Sequence, residues 1–287
     1  MNPSRTFLTL LSLSLLLLPL RGQEGEDKQG DETKIKKLSE WPTLSATDKD
    51  RVFALATQFK KDDPKLHDAA RQQLIAMGAG AVPFLFQRVS DRAENENKQL
   101  FEVFDALIES KHGALLAREV KKPVVELRRY LSQRMARFAD PELLPTLTPL
   151  RKDKDEITAF HAALGCLALG DGDALGQVMS YSKTHWLEQV DLIAAVLPHA
   201  RSAENGNLVF AAITKAPAAD QMAGLRLARY LAIDDHKVIL RTYLDSPDHA
   251  VKKEAVNVCR VLHGEPPLEK LDVFQSIKLA NEWKAKL

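Results

Sequence analysis

No charge of one sign dominates this chain: 40 Lys and Arg stand against 39 Asp and Glu in 287 residues, a formal net charge of +1. Without a basic field there is no electrostatic footprint for nucleic acid. Aromatic residues make up only 6%, too few for a platform on which successive bases stack. Two cysteines exclude a disulfide framework, and 13 Gly with 14 Pro exclude collagen-like and low-complexity chains. Long apolar runs are missing, with one exception at the N-terminus. What remains is 45% apolar and 28% charged, the balance of a globular fold long enough to bury a core without staples.

The exception is Phe7–Leu20, an almost uninterrupted apolar stretch with nine Leu. It follows Arg5 and leads through Arg21 and Gly22 into the polar stretch 23–31, the order of a secretory signal. At 14 residues it is shorter than the roughly 20 a helix needs to cross hydrocarbon. Residues 1–22 therefore read as a cleavable signal peptide, with an uncleaved anchor as the alternative. The mature chain is expected to be exported, periplasmic or secreted, with no membrane span. No Cys follows the apolar run, which argues against a lipid anchor. Residues 23–46 read as a charged leader. Its first 15 residues hold nine charges and one large aliphatic side chain, which cannot repay the entropy of ordering.

Beyond the leader the chain repeats itself. In Lys65–Asp91 a stripe of Leu66, Ala70, Leu74 and Met77 has helical spacing. Gly78 and Gly80 stop it, and Val82, Leu85 and Val89 restart the period with Pro83 in the first turn. Six further pairs are expected: 98–110 with 113–120, 124–138 with 141–150, 156–169 with 174–181, 186–199 with 205–215, 219–233 with 237–244, and 250–263 with 268 onward. Their inner turns fall near residues 78, 112, 139, 170, 200, 233 and 264, an average step of 31. Seven prolines, among them Pro64, Pro141 and Pro217, lie at expected helix edges, where a missing amide hydrogen costs least. No stretch has hairpin chemistry. The fold class is all-α, with Asp48–Lys60 and the last helix as polar-faced caps.

The stretch AARQQLIAMGAGAVPFLFQRVSD (residues 69–91) resembles a HEAT-type, armadillo-like repeat. It has an Ala-rich first helix, Gly at the turn and V-P-x-L opening the second helix. RYLSQRMARFADPELLPTLTPL (residues 129–150) is similar, and two later stretches are looser copies. The tetratricopeptide signature at fixed offsets is absent. The resemblance implies a right-handed α-solenoid over residues 47–287 with the second helices lining its concave side. Such arrays mostly bind other macromolecules. A few are enzymes, including DNA glycosylases and bilin-attaching lyases.

Chemistry-bearing motifs are sparse. Cys166 and Cys259 fall three repeats apart, ~30 Å at ~10 Å per packed layer, beyond the ~7 Å limit for a bridge; both read as buried, reduced thiols. None of the eight His lies in HExxH or an i, i+4 pair. Asp171, Asp173, Asp234 and Asp235 read as turn and cap residues. No GxSxG, P-loop or post-strand GxGxxG is present. No metal, cofactor or catalytic residue is expected. One pattern suggests binding: Arg88, Arg118, Arg151, Lys183, Lys215 and Arg241 end successive second helices at steps of 26 to 33. Stacked repeats would align them as a basic ladder for an acidic protein surface or an anionic glycan, although cations also suit helix C-termini through the dipole. The expected function is an exported, non-catalytic protein–protein interaction scaffold, monomeric on its own and not a nucleic-acid binder. The alternative is an enzyme with a groove active site, of lyase or glycosylase type, for which Tyr181, Trp186 and Tyr243 would supply aromatics.

Overall fold

The computed structural model describes residues 37–287; the expected signal peptide and leader residues 23–36 lie outside the described residues. Every regular element among the described residues is helical. In chain order the α-helices are α1 (Ala46–Gln58), α2 (Pro64–Ala76), α3 (Val82–Leu85), α4 (Glu94–Leu107), α5 (Gly113–Glu119), α6 (Val125–Phe138) and α7 (Leu144–Leu150). They continue with α8 (Glu156–Ala168), α9 (Leu175–Val196), α10 (Ala203–Ile213), α11 (Ala218–Leu231), α12 (Lys237–Leu244), α13 (His249–Leu262) and α14 (Val273–Lys286).

The local pattern recurs with little drift. A long helix ends, a 3₁₀ turn follows, and a shorter helix starts. These turns begin at Ala79, Ser110, Pro141 and Gly172, each 31 residues after the last, and again at Asp234 after twice that interval. The intervening position, Ala203, is the first residue of α10. Gly78, Gly170 and Gly264 close their helices at φ of 75°, 90° and 76°, the left-handed cap that only glycine enters freely. Ala139 occupies the same slot at φ 48°, where its Cβ costs about 1 kcal/mol. Side-chain caps mark the starts: Asp63 accepts from the Lys65 and Leu66 amides, Asp155 from Thr158, and Asp248 from Ala250 and Val251.

Long helices pack on long helices. α2 lies against α4, α6 against α8, α9 against α11, and α11 against α13. Between α4 and α6 the link is aromatic: Phe101 stacks on Tyr130 at 4.7 Å, and the Tyr130 hydroxyl donates to Asp105 at 3.0 Å. α8 is the most enclosed element, buried continuously from Thr158 to Ala168. Gly165 allows its close approach to α6 and α7, because a Cβ there would lie 2.9 Å from Leu147 Cδ1 and 3.1 Å from the Ala136 Cα. Arginine–carboxylate pairs cross from one repeat to the next. Arg71 reaches Glu102, Arg128 reaches Asp153 at 2.9 Å, Arg129 reaches Asp155 at 2.6 Å, and Arg226 reaches Glu254 at 3.2 Å.

Two helix starts differ clearly from expectation, and one junction is kinked without a helix breaker. α4 starts at Glu94 rather than residue 98, because Glu94 and Glu96 form a polar first turn that suits the helix dipole but adds nothing to the apolar stripe. The expected helices 174–181 and 186–199 are both present within α9, which is two helices meeting at a kink where His185 leaves helical geometry (φ −113°, ψ 26°), although no Gly or Pro separates them. α14 starts at Val273 rather than 268, after Pro266 and Pro267, where Asp272 and Gln275 form a reciprocal cap.

Residues 37–45, the end of the expected leader, are laid across the turns of three successive repeats. Leu38 donates its amide to the Lys111 carbonyl at 3.0 Å, and Arg118 donates to the Ser39 carbonyl at 3.0 Å. The Trp41 ring stacks on His112 at 5.1 Å and meets Phe86 edge-on at 6.0 Å. Lys37 bridges Asp140 at 2.9 Å and Glu142 at 2.8 Å. At the first turn Gly80 sits so close to the Pro42 carbonyl that a Cβ would be 2.7 Å from it.

Candidate interaction surface

The six expected ladder cations do not share one environment. Arg118 is bound to the Ser39 carbonyl of the N-terminal segment. Arg151 pairs with Asp171 at 2.8 Å and also donates to the Asp173 carbonyl at 2.9 Å. Lys183 pairs with Asp220. Arg88 is half-buried and its Nε is enclosed without a partner among the described residues. Lys215 and Arg241 are exposed. Lys215 sits in the turn after α10 at φ 62°. Half of the row is therefore committed to contacts within the protein.

A more organised surface lies between α8 and α9, where a cleft of about 530 Å³ is lined by Glu156, Phe160, Gln177, Ser180, Tyr181 and His185 among others. Its wall is a three-ring stack. Phe160 and Tyr181 are 4.5 Å apart with planes 24° from parallel, and Tyr181 and His185 are 4.3 Å apart at 13°. The break in α9 at His185 sets this geometry, and His185 Nδ1 is held by the Thr184 hydroxyl at 2.8 Å. Arg151 and Asp153, on the same wall, are already paired with Asp171 and Arg128. Glu156 and Glu188 enter none of the ion pairs among the described residues. Burial, then the negative charge of Glu188, Glu156 and Asp155, push the Tyr181 phenol up. Leu187, two residues past the break, is 86% exposed, the most exposed of the large apolar side chains described.

Elsewhere the titratable groups serve the fold. His161 is buried on α8 with Nδ1 at 3.1 Å from the Arg129 carbonyl; burial lowers its pKa to about 4. His112 and His236 close their 3₁₀ turns, each accepting at Nδ1 from the backbone amide three residues earlier, at 3.0 and 3.1 Å. At the Asp234–Asp235 turn it is thus His236, and not an Asp side chain, that satisfies the leading amide. Trp186 is buried beneath Arg226 and Arg229, whose guanidinium carbons lie 5.1 and 5.6 Å from its ring. Tyr243 is buried too, so of the three aromatics weighed for a groove only Tyr181 lines the cleft. Cys166 and Cys259 are free and buried, and burial pushes the Cys259 thiol up to about 12, the reverse of a reactive thiol. No group of three or more His, Cys, Asp or Glu among the described residues is arranged to hold a metal ion, and no described helix is long and apolar enough to cross a membrane.

His185 and Leu187 carried no periodic signal because they sit where two helical stripes meet. The chain matches no family model and no curated protein. Among solved structures it is similar to human deoxyhypusine hydroxylase in complex with glycerol, with 14% identity, a TM-score of 0.32, and coverage of 84% of this chain and 98% of that one.

Proposed function

We propose that this chain is a HEAT-like α-solenoid of about seven helix pairs that serves as an exported, non-catalytic scaffold for a protein partner. The observation that carries the reading is the 31-residue recurrence of long helix, 3₁₀ turn and short helix. Units that bury their apolar stripes only against neighbours form extended surfaces suited to holding another macromolecule. The cross-repeat arginine pairs support the same reading, since they fix the register of successive units. Of the basic ladder, Lys215 and Arg241 are the exposed cations without a partner carboxylate among the described residues, and an acidic partner surface would meet them first. Crosslinking capture of the mature chain from its native exported fraction, read by mass spectrometry, tests the proposal. A stoichiometric protein partner with crosslinks on the short-helix face is expected. Recovery of the chain alone under gentle conditions overturns it.

A further inference from the structure

Residues 37–45 form no helix, yet they cross three turns and meet a shaped surface at each. Their burial has a period of three: Leu38, Trp41 and Leu44 are half-buried, and every residue between them is exposed. An extended chain with that period turns one row of side chains toward its support. The support offers partners to the main chain and to that row. The Lys111 carbonyl accepts from the Leu38 amide, and the Arg118 guanidinium donates to the Ser39 carbonyl, both at 3.0 Å. Neither bond depends on which side chains the bound segment carries. Trp41 lies against His112 and Phe86, Gly80 leaves room for the Pro42 carbonyl, and Asp140 with Glu142 holds the Lys37 ammonium. Main-chain bonds for affinity and side-chain seats for selection are how grooves recognise linear peptides.

The segment that fills this groove is weakly integrated into the fold. None of its residues is buried, and the Leu38 bond is its one backbone bond to the repeats among the described residues. It also leaves a donor of the groove unused. His112 accepts the Glu109 amide at Nδ1, so its proton sits on Nε2, which is enclosed and has no partner among the described residues. An occupant that brings an acceptor to Nε2 has an advantage, because a buried donor left unbonded is a cost. We propose that the turn edge of the first three repeats is a docking groove for an extended segment of a partner protein. That segment carries a cation, an aromatic residue four positions on and an aliphatic residue three beyond it, and residues 37–45 fill the groove in cis until it displaces them. The proposal deepens the scaffold reading and rests on it: it assigns where one segment of the partner is held, beside the short helices α3 and α5. Charge complementarity selects the cation, since Asp140 and Glu142 lose their ammonium partner when Lys37 leaves. Displacement without replacement would also uncover Phe86 and His112, each 1% exposed with the segment in place.

The test uses the whole mature chain, wild type and Trp41→Ala, with a synthetic peptide of residues 37–45 as the probe. Calorimetry measures affinity, and amide chemical shifts locate binding. The tethered segment competes at an effective concentration of roughly millimolar or above, so the wild type is expected to bind the free peptide weakly. Trp41→Ala weakens that competitor, and its affinity for the peptide is expected to be about tenfold higher or more. Binding shifts the amides of residues 80, 112 and 113. Glu142→Lys added to the Trp41→Ala chain, or a peptide carrying Lys37→Glu or Trp41→Ala, lowers affinity several-fold. Circular dichroism checks that the variants stay folded, and Lys37→Glu serves as the weakened chain if Trp41→Ala does not fold. Displacement of a captured partner by the peptide completes the support. No binding to the weakened chain at millimolar concentration, or equal binding of the Trp41→Ala peptide, overturns the proposal. So does a wild-type Leu38 amide that exchanges as slowly as those of α8. A dimer formed by exchanging segments between copies assigns the groove to a second copy and overturns it as well. A captured partner that the peptide does not displace and whose crosslinks avoid the turn edge leaves the scaffold reading standing while retiring this one. Recovery of the chain alone from the exported fraction retires the scaffold reading and this one with it, even where the peptide binds.

Discussion

At the scale of single residues, stability depends on polar groups buried between helices. His161 shows the consequence for pH. Buried on α8, with its pKa lowered to about 4, it stays neutral where an exposed imidazole, titrating near 6.5, would charge. Above pH 6.5 both states are neutral and the site is without penalty. As pH falls from 6.5 toward 4 the unfolded chain takes up a proton that the native state refuses. Stability therefore drops, by on the order of 3 kcal/mol over that window. Asp155 acts in a separate range: burial alone would raise its pKa, but bonds from Arg129 and Thr158 hold it at about 2, so its contribution is lost only below about pH 4. Denaturant unfolding at pH 7 and pH 4.5 is expected to show the fall in the wild type and a smaller one in His161→Gln. An identical fall in both proteins would place the pH dependence elsewhere. The histidine itself was plain in the chain, but its burial was not, because it lies on a helix whose apolar residues leave no polar face to be read.

Among the elements, the segment 37–45 has the clearest separable role. It ties three repeats by one backbone bond, one ion-pair fork and the Trp41–His112 stack. Trp41→Ala is expected to cost on the order of 1–2 kcal/mol, with the loss confined to the first three repeats. Hydrogen exchange reads it directly. The Leu38 amide, bonded to the Lys111 carbonyl, becomes unprotected, while amides of α8, α11 and α13 keep their protection. Unchanged protection of Leu38 would show that the stack does not hold the segment. Composition marked this stretch as a charged leader because the charges upstream outnumber its apolar anchors. Trp41, Leu38 and Leu44 find their partners only where the turns of different repeats come side by side. The helices were legible for the opposite reason: their stripes, caps and glycine stops are local. Where those signals failed, as at the polar first turn of α4, the deciding factor was a turn without apolar residues.

For the molecule as a whole, contacts run mainly between successive units, so damage should stay local. The buried pair Arg229–Glu254, 1% and 4% exposed in the side chains, joins α11 to α13. Removing Glu254 leaves the buried Arg229 only its longer contact with the exposed Glu269 at 3.5 Å, so Glu254→Ala is expected to destabilise by about 3 kcal/mol. Amide exchange should accelerate in α11, α13 and α14 and change little in α1 to α5. Uniform acceleration along the chain would show that the repeats unfold as one unit.

The all-helical class, the 31-residue period and most helix ends were already present in the chain, because periodicity and capping act over a few residues. So was the spacing of the basic row. Which of those cations stay free was decided by tertiary structure, since Arg118, Arg151 and Lys183 meet their partners 79, 20 and 37 residues away. The α8–α9 cleft likewise forms only where α8 and α9 pack together and bring Glu156 and Phe160 beside Tyr181 and His185. Local order follows from the amino acids nearest in sequence; which side chains stay exposed follows from which helices lie against each other.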